Sequence, residues 1–378
     1  MMRALYVHIP FCHQICFYCD FNKVFFKNQP VDEYIEALGD ELNMYGKDEA
    51  FHTLETVFIG GGTPTSLSAE QLETLLAHIR SVVPTDALRE YTIEANPDEL
   101  TEEKLRVLYD GGVRRLSIGV QSFNDDLLKA LGRTHSADDV EGVIETARRV
   151  GFTNMSIDLI YGLPEQTLDD WKETLRRALA LDLPHYSAYS LIVEPKTVFY
   201  NLQKRGALHL PDASVEGDMF TTLMETMNDA GRVQYEVSNF ARPGFESVHN
   251  LVYWDNDEYA GVGAGAHGYV DGVRYANIGP LPHYLETVQK GERPLLTTHD
   301  VTLNESMEEE MFLGLRKRTG VSRTRFEQKF GRTIESVYGE PLEQLQADGW
   351  LVRRGDAYAL TADGLYRGND VFEQFLIE

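Results

Sequence analysis

Cysteine is scarce in this chain. Its 378 residues include three, Cys12, Cys16 and Cys19, all within "HIPFCHQICFYCDF" (8–21). Thiols so close together cannot form a disulfide framework, so a reducing cytoplasm is the expected compartment. Long apolar runs are missing too, which excludes a membrane span. The opening "MMRALYVHIPFC" reaches cysteine without a small-residue cleavage site, so no signal peptide is expected. Basic charge is short, with 35 Lys and Arg against 60 Asp and Glu and a net charge of −25. That balance argues against a nucleic-acid partner, because phosphate binding needs clustered cations; the acidic excess serves solubility.

What is present is an alternation. Short β-branched or aromatic runs, "ALYVHIP" (4–10), "TVFIGGG" (56–62), "YTIEANP" (91–97), "RRLSIGVQS" (114–122), "NMSIDLIYGLP" (154–164) and "HYSAYSLIVEP" (185–195), read as strands. Segments 31–45, 68–83, 101–112, 136–151 and 167–181 between them read as helices, several opening on a Ser or Thr N-cap with acidic residues behind it. Strand and helix in turn predict an α/β fold with a parallel sheet and right-handed crossovers, open or curled into a barrel. The unusual residues collect where the strands end, the rim on which parallel barrels build their sites.

After residue 300 the texture becomes helix, helix and a hairpin turning near Gly355, a winged-helix-like α+β module. From residue 301 onward, 14 acidic residues face 10 basic ones, so a structural or protein-contact role is expected there rather than DNA binding. The expected division is 1–240 for the barrel, 241–300 for a connecting segment packed on it, and 301–378 for the C-terminal module.

The cysteines could serve zinc, but structural zinc prefers four ligands in paired knuckles, and His8 or His13 would complete the set awkwardly. Three thiolates instead suit a [4Fe-4S] cluster with one iron left open, and Phe11, Phe17, Tyr18 and Phe21 are expected to shield it. The C-x3-C-x2-C spacing after the first strand, with "GGGTPT" after the second, resembles the radical S-adenosylmethionine superfamily. In that superfamily the open iron binds the cofactor's methionine amine and carboxylate, and one electron cleaves it to a 5′-deoxyadenosyl radical. Gly60, Gly61 and Gly62 let backbone approach a ligand, and no Lys follows to make a phosphate loop. Glu94, Gln121 and Asp158 end later strands and suit ribose hydroxyls, while Arg133 suits a carboxylate.

The motifs "YVHIPFC", "GGGTPT", "EANP", "IGVQSFNDDLLKALGRTH" and "IDLIYGLPEQT", with the C-terminal module, resemble the oxygen-independent coproporphyrinogen III dehydrogenases and, more closely, their HemW relatives, a family of haem chaperones. The resemblance covers essentially the whole chain. It implies a partial (β/α)6 barrel of the radical SAM type. It places S-adenosylmethionine contacts at Tyr6, Tyr18, Gly61, Gly62, Thr63, Glu94, Gln121, Arg133 and Asp158, and cluster ligands at Cys12, Cys16 and Cys19. Phe21 stands where the dehydrogenases have a fourth cysteine. "HNLVYW" (249–254) looks like the H-N-x-x-Y-W haem segment of HemW, so His249 is the expected axial ligand, with Tyr253 and Trp254 beside the porphyrin. Read as a structural residue, His249 instead caps a loop and Trp254 fills the joint between domains. "GVGAGAHGYV" (261–270), with His267, is expected to close the barrel edge, with a cofactor contact, rather than to supply a second haem ligand.

The expected function is therefore a haem chaperone carrying a [4Fe-4S] cluster and S-adenosylmethionine. Haem is its cargo, and apo-haemoproteins, respiratory ones among them, are its acceptors. It would be cytoplasmic, peripheral at the membrane where the acceptor is respiratory. The rivals are radical decarboxylation of coproporphyrinogen III and radical chemistry on another substrate.

Overall fold

All six expected strands form: β1 (Ala4–Ile9), β2 (Thr56–Gly61), β3 (Glu90–Ala95), β4 (Arg115–Gln121), β5 (Asn154–Tyr161) and β6 (His185–Ser190). They lie side by side in chain order, all parallel. The computed structural model describes residues 2–46 and 49–377. Helices α1 (Val31–Tyr45), α2 (Ala69–Val82), α3 (Glu102–Asp110), α4 (Ala137–Val150) and α5 (Leu168–Ala180) connect the strands. Ser68, Thr101 and Thr167 each accept a hydrogen bond from the backbone N–H three residues on, satisfying a donor that the first helical turn leaves open.

Successive side chains on a strand point to opposite faces, and here the two faces differ. Leu5, Val7, Ile9, Val57, Ile59, Ile93, Leu116, Ile118 and Ile157 are fully buried in the main core. The alternate positions Tyr6, Phe58, Glu94, Arg115, Ser117, Asp158 and Ser187 border one interior cavity. Because β1 and β6 both reach that cavity, the sheet is curled. A closed (β/α)8 barrel fills its interior with branched apolar side chains. This one lines it with polar groups and leaves space.

The sheet continues on both sides. Strand β7 (Tyr259–Val262) runs parallel beside β1, and three antiparallel strands, His267–Val270, Val273–Asn277 and Leu295–Asp300, follow it. Asn239–Ala241 and Val233–Glu236 extend the far edge beyond β6. The "GVGAGAHGYV" stretch thus lies along the β1 edge, within a sheet that carries on past it.

The C-terminal module has helices Leu303–Gly314, Arg323–Phe330 and Ile334–Ala347. Its hairpin, Leu351–Arg354 with Ala357–Leu360, pairs with the short strand Val321–Ser322. Gly355 turns the hairpin in the left-handed region at φ 59°. Met307, Phe326, Tyr338, Leu342 and Phe375 belong to a core separate from that of the barrel. The loop Asp255–Asp257 docks the two parts: Arg325 reaches the Asp255 carbonyl at 2.5 Å and Asp257 at 2.8 Å, Lys317 pairs with Asp255, and Arg3 holds Asp257 from the barrel side.

Candidate functional site

The cysteine loop is pinned at its stem. Phe11–Cys12 pairs in parallel with Val24–Phe25 just beyond β1, and the Phe17 N–H donates to the Leu131 carbonyl at 3.0 Å. Thr63 Oγ1 donates to Cys12 Sγ at 3.6 Å and Arg133 Nη1 to Cys16 Sγ at 3.4 Å. The Thr63 donor pulls the Cys12 thiol down, although burial outweighs it.

The glycines after β2 bring the backbone against this loop. The Gly62 N–H donates to the Ile9 carbonyl at 2.8 Å and the Thr63 N–H to the Phe11 carbonyl at 2.9 Å. Gly61, in the left-handed region at φ 122°, turns its N–H onto Glu94 Oε2 at 3.0 Å. Arg133 is fixed by the Asn96 carboxamide oxygen at 2.8 Å and the Gly119 carbonyl at 2.6 Å, and Asn96 donates on to Thr63 Oγ1 at 3.3 Å. Gln121 ends β4 at φ 66°, beside a break in the pairing register with β5. A non-glycine residue held there is strained, a condition that gathers at functional sites.

Eleven of the thirteen expected residues border a single pocket: Cys12, Cys16, Cys19, Tyr18, Gly61, Gly62, Thr63, Glu94, Gln121, Arg133 and Asp158. Tyr6 borders two cavities next to it, both of which share Glu94 with the first. His249 stands apart, at the N-terminal ends of the strands. It lies on helix α6 (Val248–Trp254) with Nδ1 on Thr56 Oγ1 and Nε2 on the Tyr253 hydroxyl, both at 2.8 Å, and its ring stacks on Phe58. It is only 1% exposed. Trp254 lies under Arg316 of the C-terminal module, 4.6 Å from the ring centre to the guanidinium carbon.

One part of the sequence reading changes. Of the four aromatics expected to shield the cysteines, Tyr18 and Phe21 border the pocket; Phe11 is buried in the main core, edge-on to Tyr34. Phe21 is itself 61% exposed, so it covers the mouth only partly. His8 and His13 point elsewhere: His8 is bound by Tyr6 and the Asn22 carbonyl, and His13 by the Ser66 carbonyl. Asn96 and Ser117 also line the pocket. Asn96 sits in the quoted "EANP", and its amide beside a strand end was the available signal. His267 is exposed and borders the side opening formed with Tyr6, Phe21 and Tyr253.

The pocket's chemistry fits the expected cofactors. Burial pushes the Glu94 carboxyl up to about 7, against the pull of the Gly61 N–H, and burial also raises Asp158. Neither has an ion-pair partner among the described residues, so a bound ammonium and ribose hydroxyls would supply what they lack. Burial raises the Cys12 thiol to about 12, so binding iron there must displace a proton. Among the described residues no three His, Cys, Asp or Glu side chains converge as a single ion requires. That bears on a mononuclear metal, not on a four-iron cluster whose thiolates sit at separate corners.

Comparison with known proteins agrees. The Radical SAM superfamily profile matches residues 6–178, and that of the HemN C-terminal domain matches residues 301–367. The heme chaperone HemW of Bacillus subtilis (strain 168) is 50% identical over 378 residues, covering 100% of both chains. That of Escherichia coli (strain K12) is 36% identical over 99% of this chain and 98% of its own. The solved structure of the Escherichia coli coproporphyrinogen III oxidase HemN, a radical SAM enzyme, superposes with a TM-score of 0.86 at 26% identity, over 99% of this chain and 90% of that one. The chain belongs to the HemW family of the radical SAM superfamily.

Proposed function

We propose that this protein is a haem chaperone that holds haem and passes it to apo-haemoproteins, with a [4Fe-4S] cluster on Cys12, Cys16 and Cys19 and S-adenosylmethionine in the adjoining pocket. The observation that carries the reading is full-length likeness to the HemW chaperones in a chain that has Phe21, not a fourth thiol, at the pocket where the three cysteines and eight of the nine expected cofactor contacts meet. When bound, cluster and cofactor supply one-electron chemistry. The chain's own residues bind and orient. Arg133, held through Nη2 by Asn96 and Gly119 and through Nη1 by Cys16, sets a fixed positive charge on the pocket wall that suits a carboxylate; Glu94 and Asp158 face an amine and hydroxyls.

His249 is the iron ligand in this reading. Burial holds its imidazole down to about 3, so it is neutral, the form that binds metal. Nε2 must first leave the Tyr253 hydroxyl, while Nδ1 stays on Thr56 and fixes the ring, as the outer partner of a ligating histidine does. The test is to rebuild the cluster without oxygen, add haemin, and compare spectra of the wild type and His249→Ala. The expected result is a bound-haem Soret band that is lost in the variant while the cluster band stays. An unchanged haem affinity would remove His249 from the role.

One observation favours a second reading: the barrel and C-terminal module superpose on the oxidase along nearly the whole chain. Protoporphyrinogen formed from coproporphyrinogen III under anaerobic reducing conditions would establish it. No product from fully cluster-loaded protein would dismiss it.

A further inference from the structure

The barrel floor holds a charge without a partner. Arg115 begins β4, is 3% exposed, and faces the interior cavity with Ser117, Asp158, Ser187 and His249. Its guanidinium makes no hydrogen bond or ion pair among the described residues, and Nε is sealed from solvent with nothing to donate to. The neighbours across the sheet share the condition. Thr92 on β3 and Asn154 on β5 pair in register with Arg115, and Thr92 Oγ1 and Asn154 Oδ1 are also buried without partners. Charged and polar atoms are seldom left so unless a ligand or ordered water completes them.

Asp158 does not complete them. Arg115 is close enough to lower the Asp158 carboxyl against the larger upward effect of burial, but the two do not form an ion pair. Burial keeps the two histidines that feel its charge neutral. His185 is bound by Ser156 and Tyr235, and His249 by Thr56 and Tyr253, so none of their ring nitrogens offers Arg115 an acceptor. A planar fork of donors in a buried cavity selects a carboxylate.

We propose that Arg115 anchors a carboxylate arm of the tetrapyrrole cargo at the floor of the barrel, beneath the cofactor pocket. The assignment of that arm to the cargo rests on the haem reading above; the carboxylate site itself rests on Arg115 and its cavity. Arg115 shares its cavity with His249, which puts the carboxylate site and the expected iron ligand in one space. Glu94, Ser117 and Asp158 line both this cavity and the cofactor pocket, so the floor abuts the rim.

The test titrates full-length, cluster-loaded wild type and Arg115→Gln with haemin and with haemin dimethyl ester, following the Soret band. It also records the thermal midpoint of each protein in sodium chloride and in sodium propionate. Wild type is expected to prefer the diacid by about tenfold, as a charge-assisted hydrogen bond implies, and the variant to lose that preference with its Soret maximum in place. Propionate is expected to raise the midpoint of the wild type alone. Without ligand, the variant should melt no lower than wild type, because it loses an unpaired buried charge. If Arg115→Gln does not fold, Arg115→Lys serves, keeping charge without the fork and retaining part of the preference.

A variant that keeps the full diacid preference overturns the proposal. So does a variant that melts well below wild type with the preference intact, which would mark Arg115 as a structural residue served by ordered water only. Absence of any haem band in wild type would sink the haem reading instead. The propionate arm then decides alone: a rise confined to wild type sustains the carboxylate site, and no rise in either protein removes it.

Discussion

Gly62 has no room for a methyl group. A Cβ there would lie 2.8 Å from the backbone of Pro10 and 2.9 Å from the Phe11 carbonyl oxygen, and backbone at the stem of the cysteine loop cannot swing aside. Gly62→Ala is therefore expected to displace that loop and at least halve the iron retained per chain after anaerobic reconstitution. Gly142→Ala is the control. It lies inside α4 with nothing within 4 Å of the added carbon, so it should keep its iron and gain about 0.5–1 kcal/mol of stability. Equal iron in the two variants would refute the packing argument. At this scale the sequence was most readable where chemistry and position coincide, as with three thiols and with carboxylates at strand ends. Arg115 was missed because its meaning depends on which strand face it occupies and what lies across the sheet. Nothing in the local pattern around it records that.

Helix α6 shows how an element is held by a residue far away in the chain. Glu90, at the start of β3, accepts from the Val248 N–H at 2.8 Å, the His249 N–H at 3.1 Å and Ser247 Oγ at 3.2 Å. A carboxylate at a helix start meets open donors and the positive end of the backbone dipoles. Glu90→Ala would strand these donors in a buried place. The expected cost is about 2 kcal/mol in chemical denaturation, with weaker haem retention because His249 loses its footing. A stability equal to wild type would mean that water or another acceptor replaces the carboxylate. The same long reach explains why strand β7 went unread. The six barrel strands repeat a local strand–helix rhythm, whereas β7 returns to pair with β1 after an excursion of more than sixty residues from the end of β6.

Glu41 carries a pH dependence at this scale. It lies in α1 and accepts from the Gly263 N–H at 2.7 Å, Asn277 Nδ2 at 2.7 Å and the Tyr284 hydroxyl at 2.6 Å, joining the helix to the glycine-rich turn after β7. Burial outweighs these donors and pushes its carboxyl up to about 7. A raised carboxyl binds its proton more tightly in the folded chain than in the unfolded one. Its contribution is therefore full below about 4.5 and is lost as pH rises towards 7. Glu41→Gln should gain on wild type in thermal midpoint between pH 5 and pH 8. A difference between the two that stays flat over that range would contradict the assignment.

At the scale of the whole molecule, two apolar cores meet across a polar joint. The change of texture near residue 300 was readable because the strand–helix rhythm stops there. The joint was read only at Trp254, as the alternative to a haem contact; its polar part was not, since Arg3, the Asp255–Asp257 loop and Lys317 with Arg325 lie in three distant stretches and are ordinary in type. Arg325 spans Asp257 and the Asp255 carbonyl, Lys317 pairs with Asp255, and Lys329 reaches the Asn256 carbonyl at 2.9 Å. Single half-exposed ion pairs contribute little, but a shared acidic loop couples several of them and makes the joint sensitive to salt. The C-terminal core is the smaller of the two and is expected to be the weaker on its own. An Asp255→Asn, Asp257→Asn double variant is therefore expected to melt in two calorimetric steps where wild type at low salt melts in one. Trp350, in the C-terminal module, should report the earlier step in a background where Trp171 and Trp254 are replaced by Phe. Added salt should move wild type towards the same split. A single transition in the double variant at every salt concentration would show that the apolar surfaces, not the Asp255–Asp257 loop, couple the two parts.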